Sequence, residues 1–344
     1  MFRKAVGMVV LVFMIVLASA CTSSGQTTET KGGAAAQSGA DSTASAAKDK
    51  ESAAKDSAFP RQVESAGGSV TIEKKPAKVA LASWQLVEMV LPFDQPSVGV
   101  TVPFAAAKSV LESDELKPYV NKFKEFKVIG ENTKVNLEAL LSYAPDVIIA
   151  GSKTNADIKD QLEKIAKTVW IAETKIDVRN EWPKVVNVIG SVLGQEKLAG
   201  ELSANFAAKQ KEGKQKLAAK NGESILFVQV REKAIYVMQP KGLGIYYEGL
   251  GLTSPNFAAD MPANGQITLE GLSVINPDHL VLGYFNYTNK AEALTDEWQK
   301  SEVWKSLKAV KQNHVYSING ELALGLGPIG QMYGLEALIK AMGK

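Results

Sequence analysis

The sequence predicts an α/β protein made of two similar lobes that are joined by a single long α-helix. Two observations support this fold class: one helix–strand unit occurs twice, and a proline-free segment lies between the copies. The first copy, NLEALLSYAPDVIIAG, occupies residues 136–151, and the second, TLEGLSVINPDHLVLG, occupies residues 268–283. A unit that recurs in this way indicates two equivalent substructures in one chain.

The N-terminal region has the features of an export signal. Residues 1–20 contain two basic residues, an apolar run and the small residues ASA directly before Cys21, the only cysteine. This is typical of a signal peptide, although a transmembrane anchor is the alternative. The cleavage region is similar to a bacterial lipobox, except that Ala18 stands where that motif usually has leucine. We therefore expect Cys21 to carry a lipid anchor on the outer side of the cell membrane. Residues 21–58 are poor in apolar side chains and are predicted to form a flexible tether.

The N-terminal lobe is predicted to span residues 60–194. It opens with a strand, a Lys-Pro turn and a second strand in GGSVTIEKKPAKVALAS, followed by an amphipathic helix in WQLVEMVLPF. SVGVT and TVWIAE are short apolar runs typical of buried strands. EWPKVVNVIGSVLGQ has apolar residues at helical spacing and a glycine stop at Gly194.

Each copy of the repeat predicts a helix that leads into a buried strand. Asn136 or Thr268 is a good N-cap, and Glu138 or Glu270 suits the positive end of the helix dipole. The Pro-Asp pair then ends the helix, because the residue before a proline is disfavoured in the helical region. The short apolar run that follows is typical of a parallel strand.

Residues 195–220 are predicted to be the connecting helix. They contain no proline and are rich in Ala, Lys, Glu, Gln and Leu, which favours one continuous helix. A helix of this length spans roughly 39 Å, about the width of a small domain. The C-terminal lobe then covers residues 222–344, with strands in SILFVQV, REKAIYVMQP and HVYSI and helices in SEVWKSLKAVKQ and PIGQMYGLEALIKAMGK.

Composition and motifs argue against several classes of function. The 39 basic and 37 acidic residues give a net charge of +2, which does not suggest nucleic-acid binding. The sequence has neither a phosphate-binding loop nor a nucleophile elbow, so an exported enzyme is poorly supported. His279 lies inside a predicted strand and His314 begins one, so both histidines are expected to be structural. A zinc or manganese site would need several such ligands, so no metal is assigned to protein side chains.

The ordered set of motifs carries a family resemblance. After the lipobox and tether come PAKVALAS, SVGV, the first repeat copy, the long segment, IYYEGLGL, the second copy and W-x-x-LKAVK-x-x-x-VY. This order resembles the substrate-binding lipoproteins of iron–siderophore ABC importers, the periplasmic-binding-protein class with two lobes joined by one long helix. The resemblance covers residues 60–344 and implies a ligand cleft between the two α/β lobes.

The resemblance implies a function and its partners. We expect a monomer that captures a ferric siderophore and delivers it to an ABC transporter permease dimer with its ATPase. The siderophore would hold the iron, so no cofactor is expected. Because the candidates include few cations, a hydroxamate or citrate-type chelate is favoured. Haem or a corrinoid is the alternative ligand, since Tyr236 or Met238 could serve as an axial ligand. A purely structural lipoprotein is a further alternative, but it would not need a cleft.

Candidate ligand-binding residues are aromatic, polar or cationic positions in the loops that the resemblance places at the cleft, as a bulky ferric chelate requires. Trp84 is the best aromatic candidate, with packing under the first helix as its alternative role. Lys241 is the best cation, because it lies in a glycine-flanked loop before a helix. The full set is Trp84, Gln85, Phe104, Lys108, Arg179, Arg231, Tyr236, Met238, Lys241, Phe285, Tyr287 and Gln331.

The resemblance also implies one exposed glutamate on the top of each lobe that meets arginines of the permease. Glu88 in WQLVEMVL and Glu248 in IYYEGLGL are the candidates. Two separated charges can set docking orientation and association rate. An ordinary solvated surface charge is the alternative for each.

Overall fold

The computed structural model describes residues 59–106, 109–257, 265–285 and 292–343. The signal peptide, the tether, Cys21 and two ligand candidates, Lys108 and Tyr287, lie outside these residues.

The N-terminal lobe is built on a sheet in which six described strands have the order β6-β5-β4-β3-β7-β8. β3, β4, β5, β7 and β8 run parallel, and β6 pairs antiparallel at the edge. The central strands are apolar and buried, as expected for a parallel sheet covered on both faces. The elements are β1 Arg61–Ser65, β2 Gly68–Ile72, β3 Lys78–Leu81, β4 Ser97–Thr101, α1 Lys117–Val120, β5 Glu125–Glu131, β6 Lys134–Val135, α2 Leu137–Tyr143, β7 Val147–Gly151, α3 Lys159–Ile165, β8 Lys167–Ile171 and α4 Trp182–Leu193.

The helix predicted at residues 195–220 is present as α5, Glu196–Lys216, and a 3-10 turn at Ala218–Lys220 follows it. The first half of α5 packs against α4: Ala199 lies against Gly190, and at the middle of α5 the Phe206 ring lies 5.0 Å from the Trp182 ring in an edge-to-face arrangement. Near its C-terminal end it packs against the second lobe, where Gly213 allows close approach of Leu250 and Ile339. One helix therefore contacts both lobes.

The C-terminal lobe is built on a sheet in which five described strands have the order β11-β10-β9-β12-β13. β9, β12 and β13 are parallel, and β10 pairs antiparallel with both β9 and β11. The elements are β9 Ile225–Val230, β10 Ile235–Met238, α6 Gly244–Leu250, β11 Gln266–Ile267, α7 Leu269–Ile275, β12 His279–Tyr284, α8 Leu294–Trp298, α9 Glu302–Ser306, α10 Lys308–Lys311, β13 Val315–Asn319, α11 Gly320–Ala323 and α12 Pro328–Met342. With this second sheet, the predicted α/β fold class is confirmed.

The repeat forms the same unit in both lobes, as the sequence predicts. The Asn136 side chain accepts from the Ala139 N–H at the start of α2, and Thr268 Oγ1 accepts from the Gly271 N–H at the start of α7. Each helix leads into a strand that is paired on both sides, β7 or β12. β7 and β12 therefore occupy corresponding positions in the two lobes, and so do the loops at their carboxyl ends.

The two histidines lie at the amino end of the second sheet. His279 is fully buried, stacks on His314 with ring centroids 4.3 Å apart, and places Nε2 2.5 Å from Glu223 Oε2. These contacts tie the starts of β9, β12 and β13 together.

Among the described helices, none combines the length and the apolar composition that a membrane span requires.

Candidate functional site

In parallel α/β sheets, ligands bind in loops beyond the carboxyl ends of the strands. Here those loops follow β3, β4, β7 and β8 in the first lobe and β9, β12 and β13 in the second. The candidate site is therefore the space between these two edges.

Arg179 joins the two edges. It lies after β8, and its guanidinium Nη1 donates to the carbonyl oxygens of Leu324 and Gly325, which follow β13 and α11. Gln331 Nε2 returns two hydrogen bonds, to the Arg179 carbonyl at 3.2 Å and to the Gly325 carbonyl at 3.3 Å. Because these partners follow the carboxyl ends of both sheets, the two edges face each other across this lobe junction.

Glu88 also belongs to the lobe junction, so the prediction that it is an exposed glutamate on a helix is wrong. It lies in a turn after a 3-10 helix at Trp84–Leu86, is 8% exposed, and its Oε2 accepts from the Gly327 N–H at 3.3 Å. The surrounding segment is also mostly buried, which leaves the carboxylate almost no solvent-facing surface.

The electrostatics of Glu88 follow from this position. Burial raises the pKa of Glu88 from 4.5 to about 7, while the Gly327 N–H and the nearby positive charge of Arg179 act in the opposite direction. The same burial lowers the pKa of Arg179. A carboxyl group that titrates close to neutrality thus lies between the lobes.

The first lobe contributes an aromatic and polar wall. Trp84 and Gln85 follow β3 and are half-buried, and Gln85 Oε1 accepts from Thr154 Oγ1 at 3.3 Å. Phe104 follows the neighbouring strand β4 and is 46% exposed. An exposed phenylalanine at this edge can contact an apolar or aromatic ligand surface.

The second lobe contributes an arginine between aromatic rings. Arg231 follows β9, and its guanidinium carbon lies 5.1 Å from the ring centroid of Phe285 and 6.0 Å from that of Tyr236. Phe285 follows β12, which pairs with β9, and Tyr236 lies on β10, the other neighbour of β9. The strand order therefore brings together three candidates that are distant in sequence. All three are half-buried, so a partly open cation–π cluster faces the cleft edge.

Two predicted ligand contacts are wrong. Met238 is 7% exposed and pairs with Phe227 inside the sheet, so it packs in the core. Gln331 is fully buried and uses its amide to hold the lobe junction. Their burial arises from packing between segments far apart in sequence. With Met238 buried in the core, Tyr236 is the remaining candidate for an axial ligand in the haem alternative.

Lys241 is exposed, and its carbonyl accepts from Asn180 Nδ2 at 2.9 Å. This contact places Lys241 next to the segment that carries Arg179. Across the part of the chain that the structure describes, no group of three or more His, Cys, Asp or Glu side chains could hold a metal ion.

A surface depression of about 480 Å³ lies between α5 and α12, away from the facing strand edges. Its charged side chains are partly paired with each other, as Glu212 contacts Lys209 at 2.9 Å and Lys216 at 2.8 Å. Its lining residues are Lys209, Glu212, Lys216, Glu336, Ile339, Lys340 and Gly343. None of them is a predicted ligand residue.

The docking glutamates predicted from the sequence are not equivalent. Glu248 is exposed on α6, whereas Glu88 is buried. Glu138 and Glu270 form a better matched pair of docking candidates than Glu88 and Glu248, since both are exposed in the first turn of the repeated helix. The sequence alone could have indicated this pair, because Glu138 and Glu270 occupy the same position in the two copies of the repeat.

Comparison with known proteins places the chain in a family. A sequence model of the periplasmic binding protein family matches residues 81–322. The iron-uptake system-binding protein of Bacillus subtilis is 31% identical over 192 residues, which is 54% of this chain and 59% of that protein, less than two thirds of its length. The Fe(3+)-citrate-binding protein YfmC of the same organism is 26% identical over 250 residues, 72% of this chain and 75% of the relative.

A solved structure agrees with the sequence comparison. The triscatecholate siderophore binding protein FeuA from Bacillus subtilis, complexed with ferri-bacillibactin, superposes with a TM-score of 0.65 at 25% identity, covering 82% of this chain and 98% of that one. The family model spans well over half of the chain, so the chain belongs to the periplasmic binding protein family, whose members are substrate-binding proteins.

Proposed function

We propose that this chain captures a ferric siderophore outside the cell membrane and delivers it to the permease of an ABC importer. The observation that carries the proposal is the pairing of two walls at the facing strand edges. One wall presents Trp84 and Phe104, and the other holds Arg231 between Phe285 and Tyr236. The relatives named for ferric citrate and for a triscatecholate siderophore support the same ligand class.

The chemistry of the walls suits a ferric chelate. Such a ligand is bulky, carries flat or apolar groups, and often has a net negative charge that a guanidinium can pair with. The guanidinium of Arg179 already donates to the Leu324 and Gly325 carbonyls, so the candidate cations that remain for a ligand at the described part of the cleft edges are Arg231 and Lys241. The absence of a dense basic cluster at these described edges favours a hydroxamate or citrate-type chelate. The iron stays coordinated by the siderophore, so the protein needs neither its own metal ligands nor a cofactor. Capture of this kind requires no bond to be made, which supports a role other than catalysis.

Intrinsic tryptophan fluorescence tests the ligand class. Ferric hydroxamate, ferric citrate-type and ferric catecholate siderophores, haemin and cobalamin would each be titrated into the purified chain. We expect quenching by a ferric siderophore, and we expect Arg231→Ala to weaken that binding at least about tenfold through loss of a partly desolvated cation. Lys197→Ala, which removes an exposed cation from α5, is the matched control and should stay within about twofold. Tighter binding of haemin or cobalamin than of every siderophore would overturn the proposal.

Delivery requires contact with the permease, and we infer that Glu138 and Glu270 provide it. Each lies on the repeated helix of its lobe, and each helix runs back along the strand that it precedes. The first turns therefore point towards the carboxyl edges, beside the cleft mouth. Neither carboxylate has an ion-pair partner in the part of the chain described by the structure, so both are available to cations of a permease.

Membrane attachment is a further part of the proposal. A lipid on Cys21, followed by the tether at residues 21–58, would hold a monomeric receptor near its importer. These residues lie outside the described structure, and the support is the lipobox-like sequence.

A further inference from the structure

Exposed apolar side chains occur beside the proposed docking glutamates. Among the described residues, the large hydrophobic side chains that are exposed are Phe104, Leu141, Val274 and Val303. Phe104 belongs to the cleft edge described above. Leu141, which is 63% exposed, lies on α2, and Val274, which is 85% exposed, lies on α7. Val303 lies on α9, which packs against α7.

The two most exposed residues of this set therefore lie on the two copies of the repeated helix. Leu141 comes three residues after Glu138, and Val274 comes four residues after Glu270. Residues three or four apart are neighbours on a helix surface. Each lobe thus presents a carboxylate with an apolar side chain one turn further along the helix.

The rest of each helix shows that these exposed side chains are not what holds the helix to its sheet. Leu140 on α2 and Leu272 on α7 are fully buried and already anchor the helices to their sheets. Leu141 and Val274 add no comparable packing to the fold. Each lobe thus presents a carboxylate next to an apolar residue, although the apolar residue follows Glu138 by three positions and Glu270 by four. This arrangement matches a partner that presents a basic residue beside an apolar surface at two places.

We propose that Leu141 and Val274 are the apolar anchors of a two-point contact with the importer's permease, one on each lobe. Each side chain enters an apolar pocket beside an arginine or lysine that pairs with Glu138 or Glu270. The inference rests on the proposed delivery function and adds to it the kind of surface that the permease must present. The carboxylates govern the approach and its salt dependence, whereas the apolar residues lengthen the lifetime of the complex.

The test measures association of the chain with the permease–ATPase complex of the same bacterium, reconstituted in lipid nanodiscs, at low and high ionic strength. We expect the double variant L141S/V274S to weaken association at least about tenfold at both ionic strengths, because apolar burial is not screened by salt. The double variant E138Q/E270Q should weaken association mainly at low ionic strength and remove most of its salt dependence. The conservative double variant L141M/V274I should stay within about threefold of wild type, because it keeps the apolar surface.

Two results would overturn the proposal: wild-type association by L141S/V274S, or equal losses in the serine and conservative variants. Siderophore titration of the same proteins separates this inference from the proposed ligand. A chain that binds the permease complex but no ferric siderophore would show that the ligand class is wrong, while the anchors could still be judged by their own variants. Unchanged siderophore affinity in L141S/V274S also confirms that the variant is folded.

Discussion

Replacing Glu88 with glutamine is expected to remove a pH dependence of folding stability that originates at the lobe junction. Burial raises the pKa of this carboxyl group from 4.5 to about 7. A carboxyl group with a higher pKa in the folded than in the unfolded chain binds its proton more tightly when folded. The stabilisation is therefore complete below about pH 4.5 and is lost as the pH rises through about 7.

The size of the effect follows from the two pKa values. One pKa unit corresponds to about 1.4 kcal/mol, so the difference between 4.5 and about 7 corresponds to about 3 kcal/mol. This is a large part of the roughly 5–15 kcal/mol by which a typical domain is stable. Glutamine has nearly the shape of the protonated glutamic acid and does not ionise. Glu88→Gln should therefore match the wild type in acid and exceed its stability by up to about 3 kcal/mol above neutrality.

Urea denaturation followed by tryptophan fluorescence provides the assay, since Trp182 is fully buried and reports loss of the core. The free energy of unfolding would be measured for both proteins at about pH 5 and about pH 8.5, because most of the stabilisation by protonated Glu88 is lost between these two pH values. Glu248→Gln, which neutralises an exposed carboxylate, is the control and should show almost no such difference. If Glu88→Gln differs from the wild type by the same free energy at both pH values, the argument from burial is refuted.

Three further outcomes are expected. Gly334→Ala should lower the free energy of unfolding by about 1–3 kcal/mol in a urea titration, because the added Cβ would overlap the hydroxyl of the buried Tyr246. Cys21→Ala should release the protein from membranes in a fractionation experiment without changing siderophore affinity, and retention in the membrane fraction would contradict the lipid anchor. Siderophore binding should change the radius of gyration in solution scattering very little, because one helix packs against both lobes, and a compaction of several ångströms would contradict that expectation.

The parts of the fold that the sequence predicts well are those determined by local chemistry. The caps at Asn136 and Thr268, the Pro-Asp pairs and the apolar runs after them act over a few residues, and the structure contains the predicted helix and strand in both copies. The long helix could also be predicted locally, because its composition and its lack of proline favour a helix whatever the rest of the chain does. Fold class could therefore be predicted from patterns of this kind.

The errors occur where distant segments meet. Glu88 is buried because residues 325–330, more than two hundred positions later, close over it, and nothing in WQLVEMVLPF specifies that contact. Residue type and loop position make Met238 and Gln331 candidates, yet packing against other segments encloses both. The sequence identified Arg231 as a candidate, but its contacts with two aromatic rings depend on strand order.

The lobe junction and the long helix together determine how the receptor can signal that it holds a ligand. α5 packs against both lobes, while Arg179, Gln331 and Glu88 connect the lobes between the facing strand edges. A movement large enough to change the spacing of Glu138 and Glu270 would break these contacts and leave buried polar groups without partners, which is costly. In the proposed function the permease therefore meets nearly the same two-point surface on the empty and the loaded receptor. Discrimination between the two states must then depend on the ligand itself, exposed at the cleft mouth beside the docking helices.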